Sequence, residues 1–104
     1  MSLEVSWTTL AKLTYYEEID FIDLKWNLQE IEKFVLLVED FVQRMSTGIV
    51  VGKTYPNHNI KSIVISEQTT VFYREYPHKN EISLLLFWNN QKDSATLKRI
   101  LKRL

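Results

Sequence analysis

The sequence predicts an α+β domain: an N-terminal strand, a two-helix hairpin packed on an antiparallel sheet of about four strands, and a short C-terminal helix. Three observations predict this class. Two adjacent stretches have helical periodicity, a later series of short β-rich stretches is separated by turn residues, and the last segment is amphipathic. The length of 104 residues suits a single domain spanning residues 1–104.

The first two elements are a strand and a helix. Residues 3–7 (LEVSW) alternate apolar and polar side chains, as a half-buried strand does. Thr8 follows where a helix N-cap is expected, because its hydroxyl can accept from a first-turn amide. Four side chains spaced by four, three and four positions then form one helical face, Tyr15, Ile19, Ile22 and Trp26. The nearby acidic residues fall mainly off that face: Glu17, Glu18, Asp20 and Asp23.

A second helix follows almost at once. Asn27, with Glu30 three positions later, resembles a capping pair, and Gly48 suits a left-handed position after the helix. Because the two helices are joined by only a residue or two, they must fold back on each other. The second helix has a wide apolar stripe: Ile31, Phe34, Val35, Val38, Phe41, Val42 and Met45.

The rest of the chain predicts a meander and a last helix. Residues 49–59 form a connection, residues 60–65 and 70–76 are strands, and turns fall at 67–69 and 77–80. The nearly continuous apolar run of residues 82–88 indicates a central strand buried on both sides, with Leu84 to Phe87 in the middle strand of the sheet. Asp93 or Ser94 caps a helix with an apolar stripe at Leu97, Ile100, Leu101 and Leu104.

Composition excludes several function classes. The absence of cysteine removes disulfides, thiolate metal sites and thiol nucleophiles, and the apolar stretches are too short for a membrane span. No signal peptide is visible, so we expect a cytoplasmic protein. We also expect neither a metal nor a cofactor. The net charge of zero hides a split: residues 1–45 hold nine acidic and four basic side chains (−5), and residues 46–104 hold four acidic and nine basic (+5). The basic half could face an anionic partner or simply be solvated.

Several short stretches resemble the RelE/ParE toxin superfamily in joint order and spacing. The first are Trp7-Thr8 with Ala11, and Phe21-Ile22 with Trp26. Residues 63–66 (IVIS) and 71–74 (VFYR) are similar to the strand–turn–strand core of the family. Residues 82–88, then 89–93 (NNQKD) and Leu97, are similar to its last strand and the segment after it. The resemblance covers nearly the whole chain and is closer to ParE-like members.

The resemblance implies a toxin of a type II toxin–antitoxin module, a class that includes plasmid stabilisation proteins. Such a toxin inhibits growth unless a cognate antitoxin, usually encoded beside it, holds it inactive. RelE-type members cleave mRNA in the ribosome, whereas ParE-type members poison DNA gyrase. Three hypotheses follow: a ParE-like binding toxin, a ribosome-dependent endoribonuclease, and an inactive homologue that only binds antitoxin.

RNA cleavage of the RelE type needs several cations and a proton-transfer group at one phosphate. Lys61 and Lys92 match two of the five positions that the resemblance assigns to this chemistry. The other three lack suitable side chains, since Ile63 and Thr70 replace basic residues and no tyrosine follows Lys92 in the segment Ala95-Thr96-Leu97. The sequence therefore favours a binding toxin over a nuclease, with Lys61, Arg74 and Lys92 as weak catalytic candidates.

Other side chains are candidates for binding. Arg74 suits a phosphate or carboxylate, a cross-strand pair with Glu81, or an antitoxin contact. His58 and His78 both fall in predicted turns, and we interpret them as exposed loop residues. Neither the histidines nor the two glycines, Gly48 and Gly52, form a metal-binding or phosphate-loop pattern. The candidate target- or antitoxin-binding residues are Arg74, Trp88, Asn90, Lys92, Lys98, Arg99 and Lys102.

Overall fold

The computed structural model describes residues 2–48, 52–55 and 59–104. Five strands form one sheet, and three α-helices cover its two faces. The strands are β1 (Glu4–Trp7), β2 (Lys53–Tyr55), β3 (Ile60–Val64), β4 (Thr69–Tyr76) and β5 (Glu81–Asn89). The helices are α1 (Thr9–Lys25), α2 (Leu28–Ser46) and α3 (Ser94–Lys102), and a 3-10 turn spans Pro77–Lys79.

The predicted α+β class is confirmed, with two differences in the sheet. The strand order is β1-β5-β4-β3-β2, and β1 pairs with β5 in parallel, so the sheet is mixed. Side-chain alternation is the same in parallel and antiparallel strands, and the sequence pattern therefore could not report this direction. Lys53–Tyr55, predicted as part of a connection, forms β2, which is too short to show alternation. β5 is interior and buried on both sides, but the middle strand of the five is β4.

Local chemistry explains where the helices begin and end. The Thr8 hydroxyl accepts from the amide of Ala11, and the Asn27 side chain accepts from the amide of Glu30, so both predicted caps are confirmed. Asp93, rather than Ser94, caps α3. Gly48 has φ +78° after α2, the left-handed conformation expected of it.

The sheet separates two clusters of buried side chains. Residues of α1 and α2 pack against one face, on Val71, Tyr73, Ile82, Leu84 and Phe87. Leu101 of α3 packs in the second cluster, on Phe72, Leu85, Leu86 and Trp88. An irregularity in the β4–β5 register after Phe72 leaves Leu85 without a directly opposed residue. The molecule therefore has three layers: the helical hairpin, the sheet and α3.

Candidate functional site

The outer edge of β5 beyond residue 84 is covered by α1 rather than by a strand. The Thr8 hydroxyl donates to the carbonyl of Leu85 at 3.3 Å. The amide of Phe87 donates to the Thr14 hydroxyl at 2.9 Å. Side chains of α1 thus satisfy backbone groups that a sixth strand would otherwise pair, and they fix α1 against the sheet.

Glu18 is more buried than Thr14, and its burial contradicts the prediction that it lies off the buried face of α1. The side chain is 3% exposed. Its Oε2 accepts from Thr69 Oγ1 at 3.0 Å, Gln68 Nε2 at 2.9 Å and Asn89 Nδ2 at 3.5 Å. The buried face of α1 runs through Ala11, Thr14, Glu18 and Ile22, whereas Trp26 is exposed beyond the helix end. The carboxylate joins α1 to the β3–β4 turn and the end of β5.

A groove of about 650 Å³ opens between α1, α2 and β1, and we call it the hairpin groove. Its aromatic floor is rigid: Trp7 stacks on Phe87 with ring centroids 5.2 Å apart, and Tyr15 meets Trp7 edge-on at 5.3 Å. Burial, followed by the nearby Glu39 charge, raises the pKa of Tyr15. The lining is Val5, Trp7, Lys12, Tyr15, Tyr16, Val38, Glu39, Val42, Gln43 and Ser46.

The structure separates the three catalytic candidates. Lys61 lies opposite Tyr73, and its ammonium contacts the Glu75 carboxylate at 3.2 Å. Arg74, the next residue along β4 from Tyr73, points to the other face of the sheet, because successive strand side chains alternate. Lys92 pairs instead with Glu17 of α1 at 3.5 Å.

Arg74 and Lys92 are also far apart along the sheet. Arg74 lies opposite Ser83, whereas Lys92 follows the last residue of β5, Asn89. At about 3.3 Å per strand residue, Ser83 and Asn89 are separated by roughly 20 Å. The candidate cations therefore do not converge on one phosphate.

The cross-strand pair between Arg74 and Glu81, one of the alternatives that the sequence left open, does not form. The register places Glu81 opposite Tyr76, and the Ser6 hydroxyl donates to the Glu81 carboxylate at 3.1 Å. Arg74 donates instead to the backbone oxygens of Leu104 at 3.1 Å and Asn59 at 3.4 Å. This arginine ties the end of α3 to the start of β3.

The segment after β5 forms one wall of a second cavity, of about 400 Å³, between α1, β5 and α3. Trp88 lines it, but the side chain is only 6% exposed. The Lys92 ammonium lies 5.7 Å from the Trp88 ring centroid. Asn90 is exposed but bonded within the chain: its side-chain amide accepts from the Thr70 hydroxyl at 2.7 Å and donates to the Glu67 carbonyl at 3.1 Å.

The basic residues of α3 are exposed. Arg99 donates to the Thr96 hydroxyl at 3.2 Å, and the predicted residues Lys98, Arg99 and Lys102 have no carboxylate partner within the described part of the chain. Asp93 at the helix start accepts first from the Ala95 amide and then from the Thr96 hydroxyl, and these bonds lower the pKa of its carboxyl. The face thus offers positive charge free for an anionic partner.

His78 contributes no site to this arrangement. His78 is exposed in the 3-10 turn, and His58 lies outside the described residues. Within residues 2–48, 52–55 and 59–104, no group of three or more His, Asp or Glu side chains is placed to hold a metal ion. No helix in the same ranges has the length and apolar character of a membrane span.

Sequence reasoning missed the hairpin groove and the Glu18 contacts. The buried face of α1 has a regular helical spacing of three, four and four positions, through Ala11, Thr14, Glu18 and Ile22. This spacing is as regular as that of the predicted stripe, which begins at Tyr15. The sequence does not indicate this face, because a carboxylate is rarely buried. The groove has no sequence signature, because three separated elements form it.

Comparison with known proteins identifies the fold. No family model matches the chain, and no curated protein does either. A structure of the chromosomal ParDE TA system from P. aeruginosa superposes with a TM-score of 0.70 at 13% identity, over 85% of this chain and 96% of the other. The isolated E. coli RelE toxin gives 0.57 at 10% identity over 99% and 100%. A metal-bound toxin from Helicobacter pylori gives 0.58 at 9% identity over 85% and 94%. The chain has the RelE/ParE-like toxin fold that the short stretches of its sequence predicted.

Proposed function

We propose that this chain is the toxin of a type II toxin–antitoxin module and that it acts in the cytoplasm by binding a large target such as DNA gyrase. The observation that carries the choice of a binding mechanism is the separation of the candidate cations. Lys61 is paired with Glu75, Lys92 is paired with Glu17, and Arg74 lies on a different face from Lys61. Stabilising a cleaving phosphate needs such groups together in one place.

The antitoxin partner is supported by the hairpin groove. An aromatic floor and aliphatic walls bordered by Lys12 and Glu39 suit the apolar face of an amphipathic segment. Such grooves commonly bind chains that fold as they dock. The basic face of α3 offers a second contact to an acidic antitoxin, and the predicted binding residues Lys98, Arg99 and Lys102 lie there.

The target is tested by exposing two purified systems to the chain. We expect inhibition of DNA supercoiling by gyrase, with cleaved DNA accumulating, and unchanged protein synthesis in a cell-free translation reaction. Arrested translation with cut messages would replace the proposal with the RelE-type endoribonuclease. No effect in either reaction, and no growth arrest on induction in cells, would leave only the inactive homologue.

The antitoxin groove is tested by a matched pair of substitutions on α1. Tyr16→Ala removes a 61%-exposed side chain at the groove rim, whereas Leu13→Ala removes a 57%-exposed one outside the groove. For the protein encoded beside this chain, we expect Tyr16→Ala to weaken binding about 10-fold and Leu13→Ala to leave it unchanged. Equal effects of the two changes would remove the groove from the interface.

A further inference from the structure

The connection between α1 and α2 presents large apolar side chains to solvent. Leu24 is 87% exposed, Leu28 68% and Trp26 51%. We call these residues, together with Phe21 and Lys25, the hairpin tip. Single exposed leucines are ordinary on protein surfaces, but three large apolar side chains exposed within five positions are not.

The hairpin tip is held in place rather than loosely exposed. The amide of Trp26 donates to the Ile22 carbonyl at 2.8 Å, and the Asn27 side chain caps α2 at 3.2 Å from the Glu30 amide. The Phe21 and Trp26 rings lie 6.1 Å apart at 70°, and the Lys25 ammonium covers the Phe21 ring at 4.8 Å. A preorganised tryptophan loses little conformational entropy on binding, which is why such residues dominate interface energies.

A recess lies beside Trp26. The tryptophan borders a cavity of about 370 Å³ between the hairpin and the β3–β4 turn, where Glu30, Glu67 and Gln68 also line the wall. A partner protein can therefore place a side chain in this cavity, against the Trp26 ring, while a pocket on the partner receives Leu24.

The charges around the hairpin tip select the kind of partner. Residues 20–33 contain four carboxylates and two ammonium groups. Lys33 is bonded to Glu30 at 3.1 Å, and Lys25 lies over aromatic rings. Asp20, Asp23 and Glu32 have no ion pair among the residues that the structure describes. The tip is therefore apolar at its centre and negative at its border.

We propose that the hairpin tip binds a protein surface in which an apolar pocket is bordered by lysine and arginine, and that this surface belongs to the toxin's target. This inference rests on the proposed function. A DNA-handling enzyme necessarily carries basic surfaces, which the acidic border complements. The same border repels RNA and anionic membranes. Pairing of two tips would bring the unpaired carboxylates of two copies together, which is unfavourable.

The test uses Leu24→Ser with Trp26→Ser, and Leu36→Ser as the matched control, because Leu36 is a 63%-exposed leucine of α2 outside the tip. For inhibition of gyrase supercoiling, we expect the double variant to require at least about 10-fold more protein and the control to match the unsubstituted chain. Affinity for the antitoxin and the melting temperature should be unchanged in both. If the double variant fails to fold, Leu24→Ser alone carries the test, since that side chain is almost fully exposed.

The charge component is tested by Asp20→Lys with Asp23→Lys, which should weaken inhibition several-fold at low salt and less at high salt. Undiminished inhibition by the Leu24/Trp26 variant overturns the proposal. So does a parallel loss of antitoxin affinity, or sedimentation showing that the substitutions convert a dimer into a monomer. If the unsubstituted chain does not affect gyrase but arrests growth, the gyrase assignment fails, and the tip is judged by whether its variant still arrests growth. If the unsubstituted chain is inert, the proposed function itself fails.

Discussion

The two faces of the sheet are covered to very different extents. On the hairpin face, helices of 17 and 19 residues enclose a cluster of 11 buried side chains. On the other face, a single helix of nine residues covers a cluster of six, and Leu101 is its one fully buried member from α3. Because burial of apolar area drives folding, the hairpin face must supply most of the stability. We therefore expect the α3 face to open locally while the rest of the fold persists.

The faces also differ in charge. The hairpin layer comes from the acidic half of the sequence, and α3 from the basic half. A zero net charge thus conceals a molecule with two electrostatically distinct sides. Under the proposed function, the basic α3 face suits an acidic antitoxin segment and the acidic border of the hairpin tip suits a basic target surface.

The largest effect should come from truncating the core of the hairpin face. Leu84 of β5 is fully buried there, and Leu84→Ala should lower the free energy of unfolding by about 2–5 kcal/mol, because the cavity adds to the lost transfer energy. Urea denaturation followed by circular dichroism measures this change.

Leu101→Ala is the matched substitution on the α3 face, since Leu101 is also fully buried. Leu101→Ala should mainly speed amide exchange within α3, and it should change the global unfolding transition less than Leu84→Ala does. A global destabilisation equal to that of Leu84→Ala would show that α3 belongs to the same cooperative unit and would remove the contrast between the faces.

A smaller loss of stability should come from removing the buried carboxylate of α1. Glu18→Ala removes the acceptor shared by Gln68, Thr69 and Asn89 and should cost about 1–3 kcal/mol. Glu18→Gln keeps a carbonyl acceptor and should lose less. Thermal melting compares the two, and an unchanged melting temperature in Glu18→Ala would mean that water replaces the carboxylate without cost.

Much of this fold was predictable because local chemistry specifies it. Thr8, Asn27 and Asp93 act as caps through bonds to amides two or three residues ahead, so their effect is readable from the sequence. The run of residues 82–88 predicted a strand buried on both sides, because its side chains are almost all apolar, and the structure shows all seven buried.

The missed features depend on contacts between distant segments. Glu18 is buried because Thr69 and Asn89, more than 50 positions away, place donors around it. The pairing of Lys61 with Glu75 follows from the β3–β4 register, which the sequence does not show. The binding role of the basic residues of α3 is a prediction that rests on their charge alone.

The smallest effect should be a loosening of α3 by acid, and it sharpens the contrast between the faces. The bonds from Ala95 and Thr96 lower the pKa of Asp93 below its ordinary value of 3.8, so folding favours the ionised carboxylate. The capping contribution is therefore complete above about pH 4 and is lost as the pH falls through the lowered pKa. Amide exchange in α3 should rise over that range while β5 stays protected. Asp93→Asn keeps a capping oxygen but does not titrate, so its α3 should respond less to acid. An equal response in this variant would assign the acid sensitivity of α3 to a group other than Asp93.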